Sequence, residues 1–291
     1  MATTITQNTA VKPLNACLTM TKPKSVLPHL ITTSAAMFIA VGGMPPVFIL
    51  IITLLGGGLV AAAAYTFNSY FDWYIDASML RTPRRPFFSG FVNSKRALVL
   101  GIGLGVTGII ILSLASILAV CLAILALGYY LLPYALFLKR RTFWGVVIGS
   151  GIGAIPPFIG WIVASGYIGI TPLLLSAIII LWTLPHFWTL AIFRRNDDTG
   201  AGLKILSGKG IDVLVFSCAL LLVITSLLLI PVTGLSIVYT GTACILAARF
   251  LILAWQMRGD KRLKTIEHLY NYSTFYITIL FVSMILDRLV F

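Results

Sequence analysis

The sequence predicts an all-α, polytopic membrane protein whose nine spanning helices form one bundle. Three observations carry that prediction. Of 291 residues, 59% are hydrophobic and only 10% are charged, against roughly 25% charged in an average soluble protein. The mean hydropathy is +1.02. The apolar residues also fall into runs close to the length a bilayer demands, about 20 residues per helix. A soluble domain of this composition would expose apolar surface everywhere. Nucleic acid is excluded as a partner despite a net charge of +13, because the basic residues sit between long apolar runs and not on one solvated face. The lipid bilayer is the expected surrounding.

Residues 1–25 carry Lys12, Lys22 and Lys24 but no apolar stretch of the kind a cleaved signal needs, and read as a cytoplasmic N-terminal tail. Residues 26–291 read as one intramembrane domain. Its first two spans, about 26–44 and 47–69, are separated by Pro45-Pro46. The third and fourth, about 97–113 and 116–138, share one uncharged run from Ala97 to Leu138 that is too long for a single helix, which places a turn at Ser113 to Ser116. The fifth, about 143–165, begins after Lys139-Arg140-Arg141 and ends at Gly166; Pro156-Pro157 inside it predicts a kink or break. The sixth, about 171–193, stops at Arg194-Arg195. The seventh and eighth, about 212–232 and 234–256, meet at Pro231 to Gly234, and the ninth covers about 270–290. Gly149-x-Gly151-x-Gly153 has no strand before it and reads as a helix-packing stripe, not a nucleotide loop. The four cysteines, Cys17, Cys121, Cys218 and Cys244, have neither disulfide nor metal spacing.

Basic residues follow spans two, four, six and eight, and the alternate connections carry no charge. The positive-inside rule therefore places the N-terminus and the charged loops in the cytoplasm and the C-terminus outside. The acids are not explained by that rule. Asn68, Asp72 and Asp76 are spaced i, i+4, i+8. If the second span continues as helix, each step of four residues turns about 400°, and the three share one face. An oxygen-bearing stripe of this kind suits a hard cation such as Mg²⁺, which often shares its ligands with a substrate phosphate. Asp197-Asp198 stands on the same side four spans later. Arg81, Arg85, Lys139, Arg140 and Arg194 surround the two acid groups and would neutralise a diphosphate. The plainer alternative is that the acids balance neighbouring arginines and the cations only set topology. A charged head held over an apolar bundle describes a prenyl diphosphate.

The same residues carry a resemblance. Asn68-x-x-x-Asp72-x-x-x-Asp76 followed by Met79-x-Arg81-Thr82-x-x-Arg85-Pro86 resembles the signature of UbiA-type intramembrane prenyltransferases. Three further stretches resemble the protohaem IX farnesyltransferase branch of that family: Tyr134-x-x-x-Leu138-Lys139-Arg140-x-Thr142-x-Trp144, Ala154-Ile155-Pro156-Pro157-Phe158-Ile159-Gly160, and Trp182-x-x-Pro185-His186-Phe187 running on to Arg194. One loop departs from the pattern. Asp197 aligns with the family acid, but Asp198 replaces a tyrosine, and Lys204 and Ser207 replace prolines.

The resemblance implies a bundle around a central prenyl and haem cavity, in a bacterial inner membrane. It implies farnesyl diphosphate and haem b as substrates, Mg²⁺ as cofactor, and haem O as product, with handoff to a haem A synthase or terminal oxidase. Asn68, Asp72, Asp76 and Asp197 would then be metal and catalytic residues. Trp73, Tyr74 and Phe187 are candidates to stabilise an allylic cation through their ring faces. His186 lies about 12 Å down a helix from Arg194. An imidazole at that depth could ligate haem iron or move a proton, and the sequence leaves the choice open. His29 is a second candidate near the cytoplasmic end. Three other functions remain on the sequence alone: a prenyltransferase for an aromatic or quinone precursor, a transporter, or a non-catalytic haem-binding assembly factor.

Overall fold

The structure, a computed structural model, describes residues 13–71, 94–131, 144–193, 210–259 and 263–291. Every regular element among them is a helix: α1 (Pro13–Thr21), α2 (Pro23–Val41), α3 (Val47–Phe71), α4 (Ser94–Ser113), α5 (Ile117–Tyr129), α6 (Trp144–Gly153), α7 (Ile155–Ser165), α8 (Ile170–Phe193), α9 (Ile211–Thr233), α10 (Ile237–Gly259) and α11 (Leu263–Val290). Among the described residues seven helices, α2, α3, α4 and α8 to α11, are long and apolar enough to cross a bilayer. The remaining two predicted spans are shorter apolar stretches, Ile117–Tyr129 and Gly149–Ser165. The second of these is broken, because Pro156 and Pro157 have no N–H to continue the helix through Ala154. The predicted turn between spans three and four lies at Leu114 to Ser116, where Ser116 Oγ caps α5 by accepting from Ala119 N.

The helices close a ring in the order α2, α3, α4, α5, α7, α6, α8, α9, α10, α11 and back to α2, with α2 packed on α7 and α8 packed on α11 inside it. Side-chain size sets how closely neighbours approach. Where α3 crosses α4, a Cβ on Gly108 would stand 2.8 Å from the Gly56 carbonyl oxygen, and one on Gly56 2.9 Å from the Gly108 carbonyl oxygen. A Cβ on Gly160 of α7 would fall on the Thr33 carbonyl of α2. These backbone-to-backbone crossings are the small-residue contacts that hold helices together where lipid removes the hydrophobic drive between them.

The predicted packing stripe behaves differently. Gly149 and Gly153 line a cavity, and nothing lies within 4 Å of a Cβ built on Gly151. That stripe makes room and does not make a tight crossing. Outward faces stay apolar: Val99, Ile102, Val106 and Ile110 form an exposed ridge along α4, opposite the glycine face. Arg249, at the middle of α10, is exposed and lays its guanidinium over the Tyr272 ring, 5.2 Å from the centroid.

The core has two parts. The larger joins α2 and α7 to α8 through α11 and centres on Tyr239, Phe250, Tyr276 and Phe281. The smaller joins α3, α4, α5 and α7 around Val60, Leu112, Ala119 and Ile159. Asp287, the acid at the opposite end from the others in sequence, is wholly buried. Its carboxylate accepts from Ser236 N (2.8 Å), Ser236 Oγ (2.8 Å) and Tyr239 N (3.0 Å), so it closes the N-terminus of α10. Arg288 donates to the Thr233 carbonyl at the end of α9.

Candidate active site

The elements place one large cavity at the centre of the ring, about 620 Å³, well inside the roughly 300–1,000 Å³ range of small-molecule sites. Its walls come from α2, α3, α5, α6, α7, α8 and α11, while α4, α9 and α10 contribute no described lining residue. On α3 the lining runs from Asn68 to Gly57, a depth of about 17 Å at 1.5 Å per residue. The deep wall is mostly apolar, with Val60, Ala123, Ile159, Ile179 and Ile277 beside Thr183 and Thr278. Most of the polar groups gather at the other end: Lys24, Ser25 and His29 of α2, Tyr65 and Asn68 of α3, Tyr130 just after α5, His186 of α8 and Tyr270 of α11. Those helix ends are the ones that join the basic connections in sequence. The cavity therefore opens from hydrocarbon depth toward the charged side.

Asn68 is buried, 6% exposed, on the last turn of α3 and at the polar end of the cavity. It is the one predicted metal ligand that the structure describes. Asp72, Trp73, Tyr74, Asp76, Arg81, Arg85, Lys139, Arg140, Arg194 and Asp197 lie outside the described residues. Among the described residues no group of three or more His, Cys, Asp or Glu is placed to hold a metal.

His29 and His186 stand on different walls of the same cavity. His29 Nε2 is 3.0 Å from the Tyr65 hydroxyl, and the two rings stack at 6.1 Å and 15°. Tyr65 also faces Lys22, whose Nζ sits 5.8 Å from its centroid. His186 is held more fully. Trp182 stacks on one side (4.8 Å, 24°) and Tyr270 is stacked with it as well (4.8 Å, 28°). Phe187 meets it edge-on at 5.6 Å and 89°. His186 Nδ1 lies 2.8 Å from Ser273 Oγ. That hydroxyl donates its proton to the Tyr270 carbonyl at 2.6 Å. A hydroxyl has one proton, so it accepts from His186, and Nδ1 carries the hydrogen. Phe187 lines the cavity mouth, as its candidacy requires, whereas Trp188 is buried in the core.

Sequence reasoning did not single out Tyr65, Tyr270 or Ser273. Tyr270 and Ser273 form an i, i+3 pair in the polar opening of the ninth span, Tyr270-Asn271-Tyr272-Ser273-Thr274, where neighbouring polar residues hide it.

The family model described as the UbiA prenyltransferase family matches residues 29–282. The chain belongs to the UbiA prenyltransferase family. It is an integral membrane protein and an enzyme of that family. A protoheme IX farnesyltransferase of Synechocystis sp. is 40% identical over 279 residues, covering 93% of this chain and 88% of the relative. One of Rippkaea orientalis is 38% identical, covering 93% and 86%. A third, of Roseiflexus sp., is 36% identical over 94% of this chain, which spans only 52% of that longer protein. Among solved structures, a digeranylgeranylglyceryl phosphate synthase superimposes with a TM-score of 0.80 at 17% identity over 97% of this chain and 100% of its own. A UbiA homologue from Archaeoglobus fulgidus bound to GPP and Mg²⁺ gives 0.67 at 14% identity over 93% and 99%. At such identities these two establish the UbiA fold.

Proposed function

We propose that this UbiA-family enzyme transfers the farnesyl group of farnesyl diphosphate to a vinyl group of haem b, with addition of water, to give haem O. The observation that carries the reading is the cavity itself: a mostly apolar shaft about 17 Å deep lined at its polar end by Asn68 and His186, on the two helices that run on in sequence to the acid and arginine motifs. A farnesyl chain fits the shaft, and its diphosphate fits the charged end.

Asn68, with Asp72, Asp76 and Asp197, supplies the all-oxygen donor set that Mg²⁺ prefers, and Asn68 is buried where a headgroup would sit. These oxygens would hold Mg²⁺, which when bound would supply charge neutralisation for the diphosphate. Arg81, Arg85, Lys139, Arg140 and Arg194 bind the remaining diphosphate oxygens and stabilise the charge that grows as the allylic C–O bond breaks. Diphosphate departs with the electron pair. The vinyl π electrons of haem form the new C–C bond to the farnesyl carbon, water adds to the resulting cation, and one proton is released. The apolar wall keeps water from the allylic cation before the porphyrin meets it. Trp73, Tyr74 and Phe187 offer ring faces to that cation. The basic connections and the N-terminus face the cytoplasm, and the product passes to a haem A synthase or terminal oxidase in the same membrane.

The test is an assay of purified protein with haem b, farnesyl diphosphate and Mg²⁺, read by mass spectrometry. The expected product is haem plus one farnesyl group and one water, lost with EDTA and reduced roughly 100-fold or more in Asp72→Ala. Full turnover in Asp72→Ala overturns the metal assignment. Diphosphate release with a quinone precursor and none with haem b moves the acceptor.

A further inference from the structure

We propose that His186 Nε2 is the axial ligand that binds the iron of haem b and so positions the vinyl acceptor against the prenyl donor; this rests on the reading of haem as acceptor. The argument begins with the tautomer. The hydrogen-bond chain from His186 Nδ1 through Ser273 Oγ to the Tyr270 carbonyl puts the proton on Nδ1 and leaves the lone pair on Nε2. Histidines that bind metals are oriented in this way, by donating the other ring N–H to a fixed acceptor.

The chain of hydrogen bonds also separates ligation from proton transfer. It ends at a backbone carbonyl, which holds a neutral imidazole in place but offers no carboxylate to offset an imidazolium and no site to pass a proton on. Ser273 is itself fixed from its other side, because Trp182 Nε1 donates to its carbonyl at 2.7 Å. Trp182 and Tyr270, each stacked with the imidazole, restrict its rotation. A base that must collect and release protons gains little from such a clamp, whereas a ligand that sets the position of a large flat macrocycle gains its geometry. His29, the other cavity histidine, has its Nε2 engaged by the Tyr65 hydroxyl at 3.0 Å.

The iron is far from the reacting vinyl carbon in chemical terms, so ligation does not activate the acceptor. It fixes where the porphyrin plane lies relative to the cavity wall. The broken α6–α7 segment lines the same space, with Gly149, Gly153 and Pro156 leaving room between the apolar side chains of Ile152, Ile155 and Ile159.

The experiment titrates haem b into the purified full-length protein without farnesyl diphosphate and records resonance Raman spectra of the ferrous complex. Wild type is expected to give an iron–histidine stretching band. His186→Ala should lose the band and bind haem roughly 10- to 100-fold more weakly, and added imidazole should restore both. Ser273→Ala keeps the ligand and removes its hydrogen-bond acceptor, so the band should persist at lower frequency. Should His186→Ala fail to fold, His186→Met serves in its place and should convert the spectrum to methionine ligation. A wild-type complex without the band, or an unchanged band in His186→Ala, overturns the ligand assignment even when the protein still makes the farnesyl adduct. A wild type that neither binds haem nor forms the adduct overturns the acceptor reading as well.

Discussion

Polar residues in a bilayer protein separate into those that serve the fold and those that serve the site, and single residues show how. Asp287 is charged, wholly buried and far from the cavity: it lies nine residues beyond Thr278, the last lining residue of α11, or about 14 Å along the helix. Its three bonds satisfy the start of α10. Asp287→Ala leaves the Ser236 and Tyr239 backbone N–H groups without their acceptor. Loss of a cap costs about 1–2 kcal/mol. The expected outcome is a lowered thermal unfolding midpoint in detergent, with the KM for farnesyl diphosphate unchanged in the folded fraction. A changed KM at an unchanged midpoint would contradict a capping role. Sequence spacing does not show the capping role of Asp287, because its partners lie 48 and 51 residues away. His186 was legible as a costly polar group at depth. Its tautomer was not, since Ser273 reaches it from another helix.

Helices are where sequence reads best, and helix contacts are where it reads worst. Apolar run length and uncharged turns located the ends of α3, α4, α8 and α9 to within a few residues, because bilayer thickness fixes run length directly. The fifth predicted span appears as the pair α6 and α7, broken at the proline pair as expected. Sequence does not tell which glycines form the tightest crossings. In the Gly149 to Gly153 stripe Gly151 faces open space and Gly153 packs on the Ile179 side chain, with 3.5 Å from a built Cβ to Ile179 Cγ2, while Gly56, Gly108 and Gly160 make the backbone contacts. A small residue permits both close approach and a void, and only the neighbouring helix decides between them. The contrast is measurable. Gly160→Val drives a side chain into the Thr33 backbone and should cost about 1–3 kcal/mol, seen as loss of monodisperse protein in gel filtration and a lowered unfolding midpoint. Gly151→Ala enters open space and removes a poor helix former, so its midpoint should match or exceed wild type. Equal losses in both variants would show that α2 and α7 do not cross on Gly160. The Gly160 crossing also bears on the site, since the single proton of Thr33 Oγ1 is shared between the His29 carbonyl of its own helix at 2.8 Å and the Pro156 carbonyl of α7 at 3.2 Å, and the second of these links two cavity walls.

At the scale of the whole molecule, charge and cavity share one polarity. The described helix ends that border the basic connections are the ends that carry the polar part of the cavity. The four opposite connections, at Gly42 to Pro46, Leu114 to Ser116, Gly166 to Gly169 and Gly234 to Ser236, contain no charged residue. Both facts follow if a water-soluble diphosphate leaves on the basic side and the prenyl tail and porphyrin stay at hydrocarbon depth. The positive-inside rule then sets the direction, because lysine and arginine in short loops resist translocation. Exposed Lys95 and Tyr167 report the two faces. With Cys17, Cys121, Cys218 and Cys244 first replaced, Lys95→Cys should resist a membrane-impermeant maleimide in intact cells and react once the membrane is opened. Tyr167→Cys should react in intact cells. The reverse pattern would put the charged end of the cavity outside, where diphosphate made in the cytoplasm could not reach Asn68 without crossing the bilayer. Labelling of both positions in intact cells would mean that the seven long helices and two shorter stretches do not all span, and that the alternation of charge along the sequence has another cause.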